Sequence, residues 1–143
     1  MELRQITPRY FVSPQISVED VPAIAAAGIK TVICNRPDSE IGAAQHAAAI
    51  ESAVREAGMT FVLNSFDNRT MTADHMTLQR DTLNDSADPV LAYCRTGTRS
   101  TVVWALGQAG SMPVPDIIQA AETAGYQLAG MQSQLAMMAG QSS

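Results

Sequence analysis

The sequence has few cysteines, few aromatic residues and a single lysine. Two cysteines among 143 residues, Cys34 and Cys94, are too few for a disulfide framework. Lys30 is the only lysine, and nine Lys and Arg residues face fourteen Asp and Glu residues, for a net charge of −5. Because nucleic-acid binders usually present a basic surface, this charge balance argues against nucleic acid as a partner.

Long apolar runs are also missing. No stretch approaches the roughly 18 apolar residues of a membrane-spanning helix, and the first residues lack the pattern of a signal peptide. We therefore expect a cytoplasmic protein with reduced thiols and no membrane partner. The length suits one domain over 1–143, in which the Gln-, Ser- and Met-rich residues 131–143 form either part of a last helix or a loosely ordered tail. The oligomeric state does not follow from the sequence.

Short β-prone runs alternate with longer helical runs along the chain. The patterns predict strands at 10–12, 31–34, 59–63 and 89–93, and helices after 17 and at 43–57, 72–83, 100–109, 116–124 and 128–139. This alternation predicts an α/β fold with a mostly parallel central sheet flanked by helices. In such sheets, functional sites form at the carboxyl ends of the strands.

Residues 93–100 (Tyr-Cys-Arg-Thr-Gly-Thr-Arg-Ser) connect a predicted strand to a predicted helix that is mostly apolar and therefore buried. Gly97 permits a positive φ, so that backbone N–H groups and the helix N-terminus can surround an anion. Arg99 offers a planar fork for oxyanions, and Ser100 can donate a hydrogen bond to the Cys94 sulfur. We expect this field to lower the pKa of Cys94 well below about 8.5, giving a nucleophilic thiolate. The predicted catalytic residues are thus Cys94, Arg99 and Ser100, and the predicted anion-binding loop comprises Arg95, Thr96, Gly97 and Thr98.

Two motifs resemble a known family. Residues 91–100, followed by Trp104-Ala-Leu106, resemble the small bacterial beta-lactamase-hydrolase-like family, long described as phosphatase-like. Residues 32–40 (Val-Ile-Cys-Asn-Arg-Pro-Asp-Ser-Glu) are similar to its other signature, and the resemblance covers 3–109. It implies a tyrosine-phosphatase-like α/β fold, with the cysteine loop between the last strand and a buried helix. Members of the family have been treated both as phosphatases and as sulfurtransferases related to sulfide oxidation, so the resemblance implies the fold better than the substrate.

The length of the loop favours one of these chemistries. Four residues separate Cys94 from Arg99, whereas tyrosine phosphatases place one more residue there and usually a His where Tyr93 stands. The sequence pattern Cys-x-x-Gly-x-Arg-Ser instead resembles the active-site loops of rhodaneses. A small ring of N–H groups suits the outer sulfur of a persulfide, and sulfur transfer needs no general acid. The sequence therefore favours sulfur transfer from a Cys94 persulfide to a small thiol, with a cysteine-dependent phosphatase or a non-catalytic anion-binding module as alternatives.

Accessory roles remain open for three residues. Asp67 follows a predicted strand and is a candidate general acid or a solvated loop residue. Arg36 and Asp38 leave the strand at 31–34 on the same sheet edge as Cys94, where they either pair with each other and brace the loop or touch substrate.

For three other side chains, we favour a structural role over a functional one. Cys34 is a core residue or, alternatively, a resolving thiol for a modified Cys94. His46 and His75 stand alone without the spacing of metal ligands, so we predict no metal and no cofactor.

Overall fold

One five-stranded sheet carries the predicted site at its carboxyl edge. A computed structural model describes residues 2–141. The strands are β1 (Arg4–Gln5), β2 (Tyr10–Ser13), β3 (Thr31–Cys34), β4 (Thr60–Leu63) and β5 (Val90–Tyr93). Their order in the sheet is β1-β2-β5-β3-β4, and β1 alone runs antiparallel to its neighbour. The strand that precedes Cys94 is therefore central, between β2 and β3.

In the part of the chain that the structure describes, six helices cover the two faces of this sheet. They are α1 (Val21–Ala26), α2 (Ala47–Glu56), α3 (Ala73–Asp85), α4 (Thr98–Gln108), α5 (Val114–Thr123) and α6 (Gln132–Gln141). Apolar side chains of α1 and α2 pack on one face of the sheet, whereas those of α3 to α6 pack on the other. The prediction of an α/β fold with a mostly parallel sheet flanked by helices is confirmed.

Helix α4 is buried on nearly all sides, as predicted from its apolar sequence. Trp104 is 2% exposed and stacks on Tyr10 of β2, with ring centroids 5.9 Å apart. Burial of a large aromatic pair contributes strongly to a core of this size. The helix that follows the cysteine loop is thus held in the hydrophobic core, which fixes the direction of its N-terminus.

Three features differ from the predicted elements. Strand β1 was not predicted, because two residues are too few to show an alternating pattern. The predicted helix at 43–57 is a 3-10 turn (Ala43–Gln45) followed by α2, since His46 is extended and the Asp38 carboxylate accepts the Ala47 N–H at 2.7 Å. In the segment 131–143, considered as a loosely ordered tail, residues 132–141 form α6 with Leu135 fully buried, and 142–143 lie outside the described residues.

None of the helices within residues 2–141 combines the length and the hydropathy needed to cross a bilayer.

Candidate active site

The cysteine loop turns sharply between β5 and α4. Cys94 follows the last residue of β5, and α4 begins at Thr98. Gly97 has a φ of +94°, the left-handed conformation expected of a glycine at this point. Its N–H donates to Cys94 Sγ at 3.1 Å. The sulfur is therefore held by a backbone donor at the N-terminus of a buried helix, where negative charge is stabilised.

A polar pocket lies over this loop. Its volume is about 340 Å³, and it is lined by Arg36, Glu40, Asn68, Arg95, Thr96, Thr98 and Arg99. Among the residues that the structure describes, Glu40 is the one carboxylate in this lining, against three arginines. Cys94 itself is only 1% exposed, so its loop neighbours rather than the sulfur form the pocket surface. The pocket is a cationic site on a protein of net charge −5 and is suited to an anionic ligand.

Glu40 binds two of the three arginines. Arg99 contacts both of its carboxylate oxygens, at 2.6 and 3.0 Å, and also donates to the Phe66 carbonyl at 3.0 Å. Arg36 donates to Glu40 Oε1 at 3.3 Å and to Gln15 Oε1 at 3.2 Å. Hydrogen bonding from Arg99, followed by the charges of both arginines, holds the pKa of Glu40 below its ordinary value. Glu40 is thus a negative charge that orients two guanidinium groups.

Arg95 differs from the other two arginines. Its side chain is exposed, and within residues 2–141 it makes no salt bridge or hydrogen bond. The main chain of Arg95 is fixed, because its carbonyl accepts the Gln15 N–H at 3.3 Å. The structure therefore leaves one guanidinium in the pocket without a protein counter-charge.

Ser100 does not bind the sulfur, contrary to the sequence prediction. Its hydroxyl has one proton to donate, and that proton goes to Asn35 Oδ1 at 2.8 Å. Ser100 is fully buried, and Asn35 follows β3, the strand beside β5. The hydroxyl therefore joins the first turn of α4 to the neighbouring strand.

The predicted pairing of Arg36 with Asp38 is also wrong. Arg36 turns to Glu40, four residues later, whereas Asp38 accepts the N–H of Ala47 at the start of α2. The free N–H groups of a helix N-terminus attract a carboxylate, which explains why Asp38 points away from the pocket. Arg36 remains at the site and Asp38 does not.

Asp67 lies beside the pocket without lining it. Its carboxylate accepts the Arg69 N–H at 2.7 Å, and its own N–H donates to Thr70. The hydrogen bond from Arg69 is the main reason why the pKa of Asp67 lies below its ordinary value. The ionised form is thereby favoured, which is the wrong form for a proton donor. Asn68, the next residue, is the one that faces the pocket.

Cys34 is part of the core. The residue is 2% exposed, and its thiol donates to the Arg36 carbonyl at 3.3 Å. Burial is the main cause that raises the pKa of Cys34, so the thiol stays protonated. The alternative role as a resolving thiol stays a prediction.

Both histidines are engaged locally. His75 Nδ1 accepts the Thr72 N–H at the start of α3, and His46 Nε2 contacts the Ile41 carbonyl. Over the described residues, 2–141, there is no group of His, Cys, Asp and Glu that could hold a metal ion.

Sequence reasoning missed a buried amide cluster beneath the loop. Asn35 and Gln79 exchange two hydrogen bonds, at 2.9 and 3.1 Å, and Asn64 Nδ2 donates to Gln79 Oε1 at 2.9 Å. All three are buried. A signal was present for two of them, because Asn35 and Asn64 directly follow β3 and β4 at the edge where Cys94 lies. Nothing in the sequence pattern pointed to Tyr126, which contacts the loop from the far end of the chain.

The fold and this site define a cysteine-dependent, phosphatase-like α/β domain. The sequence profile of the family described as "Beta-lactamase hydrolase-like protein, phosphatase-like domain" matches residues 2–111, and the chain belongs to that family. A beta-lactamase hydrolase-like protein of Agrobacterium fabrum is 28% identical over 130 residues, which cover 90% of this chain and 30% of that protein. The chain thus spans about a third of that relative's length.

Two solved structures are similar over nearly the whole chain. One, from Neisseria meningitidis and described as a candidate phosphatase, is 35% identical, with a TM-score of 0.83 over 96% of this chain and 99% of that one. The other, Tk-PTP in its active form, is 13% identical, with a TM-score of 0.74 over 97% and 96% of the two chains. The second similarity concerns the fold alone. Together they confirm the tyrosine-phosphatase-like fold that the motifs implied.

Proposed function

We propose that the protein hydrolyses phosphate monoesters through a phosphocysteine at Cys94. The observation that carries this proposal is the Cys94 sulfur, held by the Gly97 N–H at the N-terminus of α4 beside an arginine-lined pocket. The family and the Neisseria relative support the phosphatase alternative better than the sulfur transfer that loop length favoured.

Two displacements complete the reaction. The Cys94 thiolate attacks phosphorus, the P–O bond to the ester oxygen breaks, and the leaving group departs with the electron pair. Arg99 and the N–H groups of the loop stabilise the charge on the phosphoryl oxygens during this step. Water then attacks phosphorus, the S–P bond breaks, and orthophosphate leaves as the thiolate is restored.

The carboxylates near the pocket constrain the leaving group. Glu40 and Asp67 both have a pKa below the ordinary value, and Glu40 is bound by two arginines. Neither holds a proton to give to a departing oxygen at neutral pH. We therefore infer that good substrates have leaving groups that are stable as anions, such as aryl phosphates.

Arg95 favours substrates with a second negative charge. Arg36 and Arg99 share the Glu40 carboxylate, whereas the Arg95 guanidinium is unpaired within the described chain. A second carboxylate or phosphate on the substrate would be paired by this guanidinium. The substrate class we propose is accordingly a small, multiply anionic phosphate ester.

A matched pair of substrates tests this proposal. Phenyl phosphate and 4-carboxyphenyl phosphate differ by one carboxylate, and we expect kcat/KM to be about tenfold higher for the second, a difference of roughly 1.4 kcal/mol. Arg95→Gln should remove the preference, whereas Arg55→Gln, on α2 and paired with Glu51, should retain it. Turnover of neither ester would contradict the phosphatase proposal. Equal turnover of both esters would contradict only the proposed preference for a second negative charge, and would leave the phosphatase proposal standing.

Sulfur transfer is the second candidate, because the loop is one residue shorter than in tyrosine phosphatases and both carboxylates described at or beside the pocket, Glu40 and Asp67, are favoured in their ionised form. The thiolate would attack the outer sulfur of thiosulfate or a persulfide, and the donor would leave as sulfite or a thiolate. An acceptor thiol such as glutathione would then take the sulfur from the Cys94 persulfide. Thiosulfate turnover with glutathione that exceeds aryl phosphate turnover would favour this candidate.

We propose a small molecule rather than a nucleic acid as the partner, consistent with a pocket of about 340 Å³ and the acidic charge balance. Both cysteines are free, which fits the reducing cytoplasm.

A further inference from the structure

Tyr126 lies against the cysteine loop from the region between α5 and α6. Its side-chain hydroxyl donates to the Thr96 carbonyl at 3.0 Å, and the residue is 6% exposed. A Cβ added to Gly97 would lie 2.0 Å from this hydroxyl oxygen and 2.9 Å from the ring carbon that carries it. Gly97 is therefore required twice, by its positive φ and by the close approach of Tyr126.

The end of α5 fixes the place of Tyr126. Gly125 has a φ of +99°, its N–H donates to the Glu122 carbonyl at 2.9 Å, and the Tyr126 N–H donates to the Ala121 carbonyl at 2.9 Å. This pair of bonds is the Schellman arrangement that ends many helices on a glycine. The direction of the Tyr126 side chain thus follows from how the helix stops.

Arg4 holds the other side of the ring. Its guanidinium lies 5.2 Å from the centroid of the Tyr126 ring and donates to the Ala124 carbonyl at 3.3 Å. A cation over an aromatic face is attracted by the ring. Burial raises the pKa of Tyr126 above its ordinary value, which keeps the hydroxyl protonated and able to donate.

One peptide unit connects Tyr126 to the nucleophile. The Thr96 carbonyl and the Gly97 N–H belong to the same planar trans peptide and point in opposite directions. Tyr126 binds the carbonyl on one side, and Cys94 Sγ accepts the N–H on the other. Fixing the carbonyl therefore aims the N–H at the sulfur, and a donor on the carbonyl also polarises the N–H.

We propose that Tyr126 is a positioning residue that sets the Thr96–Gly97 peptide plane, and through it the backbone donor to Cys94. Tyr126 lies outside residues 2–111, which the family profile matches. It requires that Cys94 be the reactive thiol but is independent of whether phosphate or sulfur is transferred.

The test uses alkylation of Cys94, which needs no substrate. Iodoacetate is anionic and iodoacetamide is neutral. The ratio of their alkylation rates at Cys94, followed by peptide mass spectrometry, therefore reports how strongly the loop around Cys94 attracts an anion. Tyr126→Phe keeps the ring and removes the hydroxyl. We expect it to lower this ratio and the kcat/KM for phenyl phosphate about tenfold, with the melting temperature lowered by only a few degrees.

Two further variants complete the experiment. Arg4→Gln should lower the ratio less than Tyr126→Phe, whereas Arg9→Gln should leave it unchanged, because Arg9 contacts the Ser86 carbonyl instead. A wild-type ratio in Tyr126→Phe would overturn the proposal, even if the protein melts earlier, since a merely structural role lowers stability without changing selectivity. A ratio about tenfold lower, with a melting temperature within a few degrees of wild type, would support it.

The close approach of Tyr126 to Gly97 gives a second measurement. Gly97→Ala should lower the melting temperature less in a Tyr126→Phe background than in the wild type, because the nearest atom that the new Cβ meets is then gone. Equal losses in both backgrounds would contradict the close approach of Tyr126 to the loop.

Discussion

Arg99 and Glu40 form a two-point ion pair between elements 59 residues apart, with N–O distances of 2.6 and 3.0 Å. The Arg99 fork, which the sequence assigns to substrate, thus already binds a carboxylate in the planar geometry that a substrate oxyanion would use. Arg36 shares the same carboxylate. The substrate that we propose would therefore meet arginines that are oriented in advance.

Arg99→Lys tests whether catalysis requires the planar guanidinium group of Arg99. An ammonium group is a point charge and cannot contact both Glu40 oxygens and the Phe66 carbonyl in one plane. We expect kcat/KM for p-nitrophenyl phosphate to fall about a hundredfold, or roughly 2.7 kcal/mol, with little change in the melting temperature. Arg55→Lys, outside the pocket, is the matched control. An unchanged rate would show that Arg99 serves only the ion pair.

Glu40→Gln should disorder the two arginines and lower kcat/KM about tenfold. Because the pKa of Glu40 is lowered in the folded protein, its contribution to stability is present above its ordinary pKa of 4.5 and is lost as the pH falls through the lower folded value. The difference in melting temperature between wild type and variant should thus be constant near neutral pH and shrink below about pH 4.5. A difference that grows toward acid pH would contradict this pairing.

Ser100→Ala should affect stability more than chemistry. It removes the hydrogen bond to Asn35 Oδ1, which retains Gln79 as a donor. We expect a loss of about 1 kcal/mol in the free energy of unfolding, measured by urea denaturation, and a kcat/KM within a few-fold of wild type. Ser111→Ala, an exposed site, gives the baseline. A collapse in kcat/KM comparable to that of Arg99→Lys would restore the direct role of Ser100 at the sulfur.

Asp67→Asn should leave aryl phosphate hydrolysis nearly unchanged. The carboxylate is held by the Arg69 N–H and is favoured in its ionised form. Without a proton donor, the rate should depend steeply on the pKa of the leaving phenol across a series of substituted phenyl phosphates. A shallow dependence in wild type that becomes steep in Asp67→Asn would identify Asp67 as a general acid.

The sequence was most informative where a reactive side chain and strong local backbone signals fall within the same few residues. The Cys94–Gly97 turn could be predicted because a positive φ, a helix start and a strand end fall within a few residues. The partners of the polar side chains could not, because they depend on which strands are neighbours. Ser100 binds Asn35, and Arg99 binds Glu40, because β3 lies next to β5.

Long-range contacts were also beyond the sequence pattern. Tyr126 reaches the loop through the end of α5 and the position of Arg4, which are set by packing of the whole chain. The two residues of β1 pair with β2 but are too short for periodicity to reveal. By contrast, the limits of β3 follow directly from its short β-prone run, Thr-Val-Ile-Cys, and from the turn sequence Asn-Arg-Pro-Asp that follows it.

The central claim is that Cys94 carries the phosphoryl group. Its most direct test mixes the protein with excess p-nitrophenyl phosphate, quenches within the first turnover and maps the modified peptide by mass spectrometry. We predict a phosphoryl group on Cys94 in the wild type, and no adduct and no turnover in Cys94→Ser. Continued turnover in Cys94→Ser, or hydrolysis by the wild type with no adduct on Cys94 at any quench time, would contradict the account.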